Sequence, residues 1–240
     1  MRKVLFGLAF LAACGGGGGG DDAGSGAPVT VTGRAFVFGG NPNNLPLEGA
    51  LVAMVEAPSH VTSVGADGTF SFTVPSGVTA SFSLVQDGFH PNQSATLAIG
   101  AGGIPMLGFQ TPTEDSFQTF ATIAGIVPDP AMCQIATTIS RAGTEPYGGD
   151  ALGEEGATAA IDPPLDASHG PVYFAYNDNM PFPDTTLSAT SIDGGVAFTN
   201  VPPGDYTLTA QKAGVTFTPV AITCRAGVLV NAAPPHGLQE

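Results

Sequence analysis

"DGGVAFTNVPPGDYTLTAQKAG", residues 193–214, is the stretch whose reading decides the fold. Within "GDYTLTAQK", Tyr206, Leu208 and Ala210 fall on one side of an extended chain and Thr207, Thr209 and Gln211 on the other. That is the period-two alternation of a half-buried strand. Asp193-Gly194 opens the stretch with a hairpin signal, because a type I′ turn needs positive φ at its centre and glycine supplies it at little cost.

Residues 67–77, "DGTFSFTVPSG", carry the same device: Phe70 and Phe72 share one face, while Thr69, Ser71 and Thr73 share the other. Upstream of each lies a second shared signal, Glu48-Gly49-Ala50 before "LVAMVEAP" and Glu155-Gly156-Ala157 before "TAAIDPP". Downstream, Gly88 matches Gly214 and Ala101-Gly102 matches Ala226-Gly227. The signals keep their order in both halves, so the chain holds two copies of one unit. Short apolar runs bounded by Gly, Pro and Asp make that unit a β-sandwich.

The pattern G-A-x-V or a variant, then D-G-x-(aromatic or apolar)-x-F, then V-P-x-G-x-Y/T-x-L, resembles the carboxypeptidase regulatory-like domain. That resemblance implies two transthyretin-like (prealbumin-like) Greek-key sandwiches, at 29–104 and 131–240. The second copy matches more closely; in the first, Val78-Thr79-Ala80 stands where the family often has an aromatic. Members of the family are accessory modules on enzymes, receptors and surface proteins, so the resemblance implies a fold and leaves function open.

Between the copies, residues 105–130 read as a helical connector. Thr113 is an N-cap, Glu114 and Asp115 suit the positive helix end, and Phe117, Phe120, Ala124 and Val127 recur at helical spacing before Pro128 and Pro130.

The first 28 residues carry a different message. Arg2 and Lys3 precede a ten-residue apolar run, Val4 to Ala13, too short for a membrane-spanning helix and laid out as a secretory signal. Leu11-Ala12-Ala13-Cys14 resembles the lipobox of bacterial lipoproteins, which implies a signal at 1–13, an acylated Cys14 and a tether at 14–28. Gly15 to Gly20 would span about 13 Å r.m.s.. Glycine rather than aspartate after the lipid cysteine resembles lipoproteins sorted to the outer membrane of diderm bacteria. The membrane is therefore an expected partner through the lipid.

The net charge of −14 is against nucleic acid as a partner, since phosphate binding needs basic side chains. Beyond the leader the basic residues are Arg34, Arg141, Lys212 and Arg225. Of the three cysteines, Cys14 is assigned to lipid, and in an oxidising compartment Cys133 and Cys224 are expected to form a disulfide.

The copies differ most at 162–184, "DPPLDASHGPVYFAYNDNMPFPD", an insertion in the second. Tyr173 and Tyr176 beside Asn177, Asp178 and Asp184 would suit a glycan, with rings for stacking and polar groups for hydroxyls. The same oxygens would suit calcium, although no D-x-D-x-D-G loop is present. Because "GPVYFAY" alternates, it also reads as one more strand with "NDN" as the turn at its end. The acidic "GGDALGEE" at 148–155 reads as a solvated loop. No metal site and no cofactor is expected.

No G-x-S-x-G elbow, H-E-x-x-H helix or phosphate loop followed by lysine occurs in the sequence. Intradiol dioxygenases use a similar sandwich, but their iron needs a close histidine pair, whereas His60, His90, His169 and His236 are scattered. The expectation is a non-catalytic binding or scaffolding module of the cell envelope. Its alternative is a carbohydrate-binding or calcium-dependent surface module, and its candidate partners are a glycan or an envelope protein.

Overall fold

A computed structural model describes residues 26–38, 45–144, 153–177 and 180–240. The chain is mostly β, in two sandwich modules with one helix between them. In the first module, β1 (Pro28–Val37) pairs antiparallel with β4 (Thr69–Pro75) and parallel with β9 (Ile104–Thr111). Facing it are β2 (Leu51–Met54), β3 (Val61–Ser63), β6 (Phe82–Val85) and β7 (Asn92–Gln93), in the order β3-β2-β6-β7. A small pair, β5 (Val78–Ala80) with β8 (Leu97–Ile99), lies beside them. The expected alternation holds: Phe70 and Phe72 are buried with Phe82, Leu84, Leu107 and Phe109, while Thr69, Ser71 and Thr73 are exposed.

The second module repeats this pairing. Its β10 (Cys133–Thr138) takes an antiparallel neighbour, β14 (Gly195–Val201), and a parallel one, β17 (Leu229–Ala232). Opposite, β11 (Thr158–Asp162), β15 (Gly204–Gln211) and β16 (Val220–Cys224) form the order β11-β15-β16. Cys133 and Cys224 are joined, so the disulfide staples β10 to β16 across the core.

Three expectations change at this level. Residues 105–111, read as part of the connector, belong with Ile104 to the last strand of the first module, Ile104–Thr111, because Gly33, Ala35 and Val37 of β1 pair with Leu107, Phe109 and Thr111. The helix, α1 (Glu114–Ile123), starts as expected with Thr113 accepting the Ser116 N–H, yet stops at Gly125 (φ 72°) rather than at Pro128. Val127 is consequently 86% exposed and off the buried stripe of Phe117 and Ala121.

The turns are also not type I′, since Asp67 and Asp193 are absent from the left-handed region and only Gly68 (φ 79°) and Gly194 (φ 76°) occupy it. Gly68 N–H bonds to Gly65 O and Gly65 N–H to Thr69 O, a type I turn closed by a left-handed glycine. Asp67 Oδ1 fixes it by accepting from Thr69 N and Oγ1. A Cβ at Gly68 would come within 2.8 Å of the Phe36 ring, so both space and φ demand glycine there.

The modules are fused by a strand pair. β17 pairs parallel with β7, Leu229 opposite Asn92 and Val230 opposite Gln93. The inner sheet of one module thus runs into a sheet of the other, giving nine strands from β3 to the edge strand described below.

Polar groups close the seam. Gln93 Nε2 donates to Thr223 O at 2.7 Å, and Thr96 N–H donates to Ala221 O. Arg225 donates to Gln93 Oε1 and to Glu56 Oε1, each at 2.8 Å, and Asn231 Nδ2 donates to Gln110 O. Such fully directed bonds fix one relative placement of the modules, which apolar contact alone does not.

Candidate functional site

The insertion folds as a hairpin. After a 3₁₀ turn (Ala167–His169), β12 (Val172–Asn177) pairs with β13 (Met180–Asp184), Phe174 opposite Pro183 and Tyr176 opposite Pro181. Tyr173 and Val172 of β12 also pair with Val196 and Ala197 of β14, so the hairpin adds two strands to the sheet edge. β13 ends the nine-stranded sheet, with prolines at two of its five positions.

The hairpin is held by its own side chains. His169 Nδ1 lies 3.0 Å from Thr199 O, and Ser191 Oγ donates to Phe174 O at 2.7 Å. Phe182 packs edge-on to Phe120 of α1, with ring centroids 6.1 Å apart, and Phe120 packs in the same way on Phe38. These three rings tie the insertion to the helix.

Each candidate residue has a definite place. Tyr173 is 3% exposed in the core of the second module, and its hydroxyl accepts the Ala159 N–H at 3.1 Å. A sugar cannot stack on it, which removes it from the candidate set for the reason the alternating sequence held open: it is a strand residue. Tyr176 is half-buried and Asn177 exposed at the hairpin tip. Asp178 lies outside the described residues.

Asp184 is at the far end of β13, where Oδ1 accepts from Thr186 Oγ1 and N–H at 2.6 and 2.9 Å. Those bonds, the hydroxyl first, hold its carboxyl below the usual aspartate range. Tyr176 and Asn177 therefore sit together and Asp184 apart, separated by the length of a strand. Among the described residues no group of three or more His, Cys, Asp and Glu is placed to hold a metal ion.

Two charged sites were not read from the sequence. Glu154, expected in a solvated loop, has a side chain only 13% exposed and is held between Lys212 and Arg141. The Lys212 bond chiefly lowers its pKa. Asp193 and Phe174 both crowd Gly195, and Asp193 accepts the Gly195 N–H; burial pushes its carboxyl up to about 6. A third cluster sits at the helix start, where His90 stacks on Phe117 at 3.6 Å and meets Glu114 Oε2 at 2.8 Å. Gln118, then His90, lowers the Glu114 pKa.

No protein-family model matches the chain, and no curated protein does. Solved structures similar to it include the Bacillus anthracis TIE protein, at 11% identity and a TM-score of 0.29, covering 89% of this chain and 34% of that one. GBS52, the minor pilin of Streptococcus agalactiae, gives 9% identity and 0.27 over 89% of this chain and 95% of its own. The shaft pilin SpaA of Lactobacillus rhamnosus GG gives 10% and 0.27 over 88% and 96%. Scores this low do not establish a shared overall arrangement, and neither fold nor function rests on them.

Proposed function

We propose that the chain is a lipid-anchored envelope lipoprotein, acylated at Cys14, whose two transthyretin-like modules serve as a non-catalytic scaffold or binding element. The observation that carries the scaffold reading is the fused sheet: β7 and β17 place two copies of one unit in a single fixed relation. The insertion supports it, because Tyr173, Phe182 and His169 are spent on packing and hydrogen bonding within the fold. Leu11 to Cys14 and the glycine run support the anchor, and the outer membrane of a diderm bacterium is the proposed location.

Several acyl chains on one residue, at roughly 0.8 kcal/mol for each buried CH₂, would hold the chain stably. The test is labelling of producing cells with an alkyne fatty acid. Label on the wild type and none on a Cys14→Ser variant is expected; label on both, or on neither, removes the anchor.

A second reading, a glycan- or calcium-binding surface, is favoured by the half-buried Tyr176 ring beside the exposed Asn177 at the hairpin tip. Thermal shift with calcium, chelator and cell-wall glycans tests it, since a ligand at 100 times its Kd adds about 2.7 kcal/mol. A shift lost in Tyr176→Ala supports this reading, and no shift with any of them ends it.

A further inference from the structure

We propose that the chain is built to carry tension between its two ends, as a load-bearing tether. The fixed end rests on the anchor proposed above, but the mechanical design stands on strand topology alone.

In the first module the leading strand β1 and the closing strand β9 are parallel neighbours, with Val31 opposite Ile104 and Val37 opposite Thr111. Pulling the start of β1 away from the end of β9 slides one strand along the other. All the slanted, evenly spaced bonds of a parallel ladder are then strained together. An antiparallel pair pulled at adjacent ends instead opens bond by bond, each worth only ~0.5–1.5 kcal/mol net. The second module has the same arrangement, β10 leading and β17 closing, again parallel, but there a disulfide carries the covalent load path past all of β10 after Cys133.

The joint extends this design. β17 has two parallel partners, β10 from its own module and β7 from the other, so load arriving on the last strand is shared by both modules. While β17 holds β7, load is taken off α1 and the residues that follow it; when that pair parts, the load reaches the end of β9 through them.

The disulfide shortens the path further. Cys133 opens β10 and Cys224 closes β16, 91 residues apart in sequence but 5.8 Å apart at Cα. Tension entering at Cys133 crosses to Cys224 through covalent bonds, and the chain between them is not in the load path. The next residue, Arg225, then meets Glu56 and Gln93 of the first module. The shear pair of the first module and the covalent bypass of the second thus lie in series, and β17 braces the joint between them on β7.

Single-molecule pulling of the full chain through handles at its two ends tests this. The fully extended length is expected to grow by roughly 300 Å when a reductant is present, the reach of the residues enclosed by the bond. A length that does not change on reduction overturns the bypass.

A second geometry, with the inner handle inserted between Ser76 and Gly77, pulls the adjacent ends of the antiparallel pair β1 and β4, where Pro28 faces Pro75. Rupture force is expected to be several-fold lower there than end to end, because forced unfolding follows the barrier along the pulled path. Equal forces in the two geometries overturn the shear design. Should the insertion prevent folding, shown by loss of the β signal in circular dichroism, the rupture force of the unaltered chain pulled end to end decides instead, and a force no higher than that of a hairpin opened bond by bond overturns the shear design. Both ends are held chemically, so a chain that resists load yet takes no fatty acid label contradicts the anchor and supports the mechanical reading.

Discussion

The two modules share one hydrogen-bonding plan and stabilise it by different chemistry. In the first, Phe70 packs on Phe72 and Phe109, and Phe72 on Phe82, with ring centroids 5.9 to 6.4 Å apart. In the second, no such cluster of rings is found among the described residues; a disulfide joins the sheets, and Tyr173 from the insertion fills core space. The strand plan therefore tolerates either aromatic volume or a covalent staple at its centre. It also tolerates growth at one edge: β14 carries the added hairpin, whereas its counterpart β4, among the described residues, pairs only with β1.

If that comparison is right, the modules should fail separately under different insults. Phe82 is fully buried, so Phe82→Ala should cost about 3–5 kcal/mol and lower the first module's transition in chemical denaturation. A loss below about 1 kcal/mol would mean that the aromatic cluster is not what holds that core. Reduction of Cys133–Cys224 should remove about 2–5 kcal/mol from the second module. Calorimetry with and without reductant reads it directly, and a shift confined to the first module would invert the comparison.

Smaller effects sharpen it. Asp193 has a folded pKa of about 6, above its ordinary value of 3.8, so the folded state binds the extra proton. Its contribution is fully present below pH 3.8 and is lost as pH rises through about 6. Asp193→Asn should abolish that decline and leave the second module ~1–3 kcal/mol more stable at pH 7–8 than the wild type. A parallel pH profile in variant and wild type would count against the burial. Glu154 has the opposite sign: its pKa is lowered, so its stabilisation is present above 4.5 and lost in acid.

Smallest of all, Arg225→Ala should cost about 1 kcal/mol, because the seam ion pair is partly solvated. Its distinctive signature would be two calorimetric transitions drawing apart as the modules uncouple. Transitions that stay coincident would show that the strand pair and the remaining seam bonds join the modules without it.

How much of this was legible in the sequence follows from how local each signal is. Phe70 and Phe72, Tyr206 and Leu208, and Thr113 act through neighbours one to four residues away, so alternation and capping placed β4, β15 and the helix start. The seam was not legible. Asn92-Gln93 is a two-residue polar strand, buried between β6 of its own module and β17, far along the chain, with Asn92 bonded to Gln110 and Thr111 and Gln93 to Thr223 and Arg225.

The strand β9 was missed because its environment comes from β1 rather than from its own periodicity. The turn type was misread for a subtler reason: Asp67 bonds to Thr69, which favours a turn needing one left-handed residue instead of two. At the candidate site, alternation in "GPVYFAY" named the strand correctly but could not say which tyrosine faced inward. The Ala159 N–H settles that for Tyr173.

Pro181 and Pro183 in β13 have a consequence for copies of this protein that meet at high concentration. A nine-stranded sheet with an open margin is a template on which a neighbour's chain can register, and proximity multiplies the encounters. Here two of the five residues on that margin have no amide hydrogen to give, so an incoming strand finds an interrupted ladder. The hairpin that enlarges the sheet thus also ends it, and copies that meet at high concentration can remain separate.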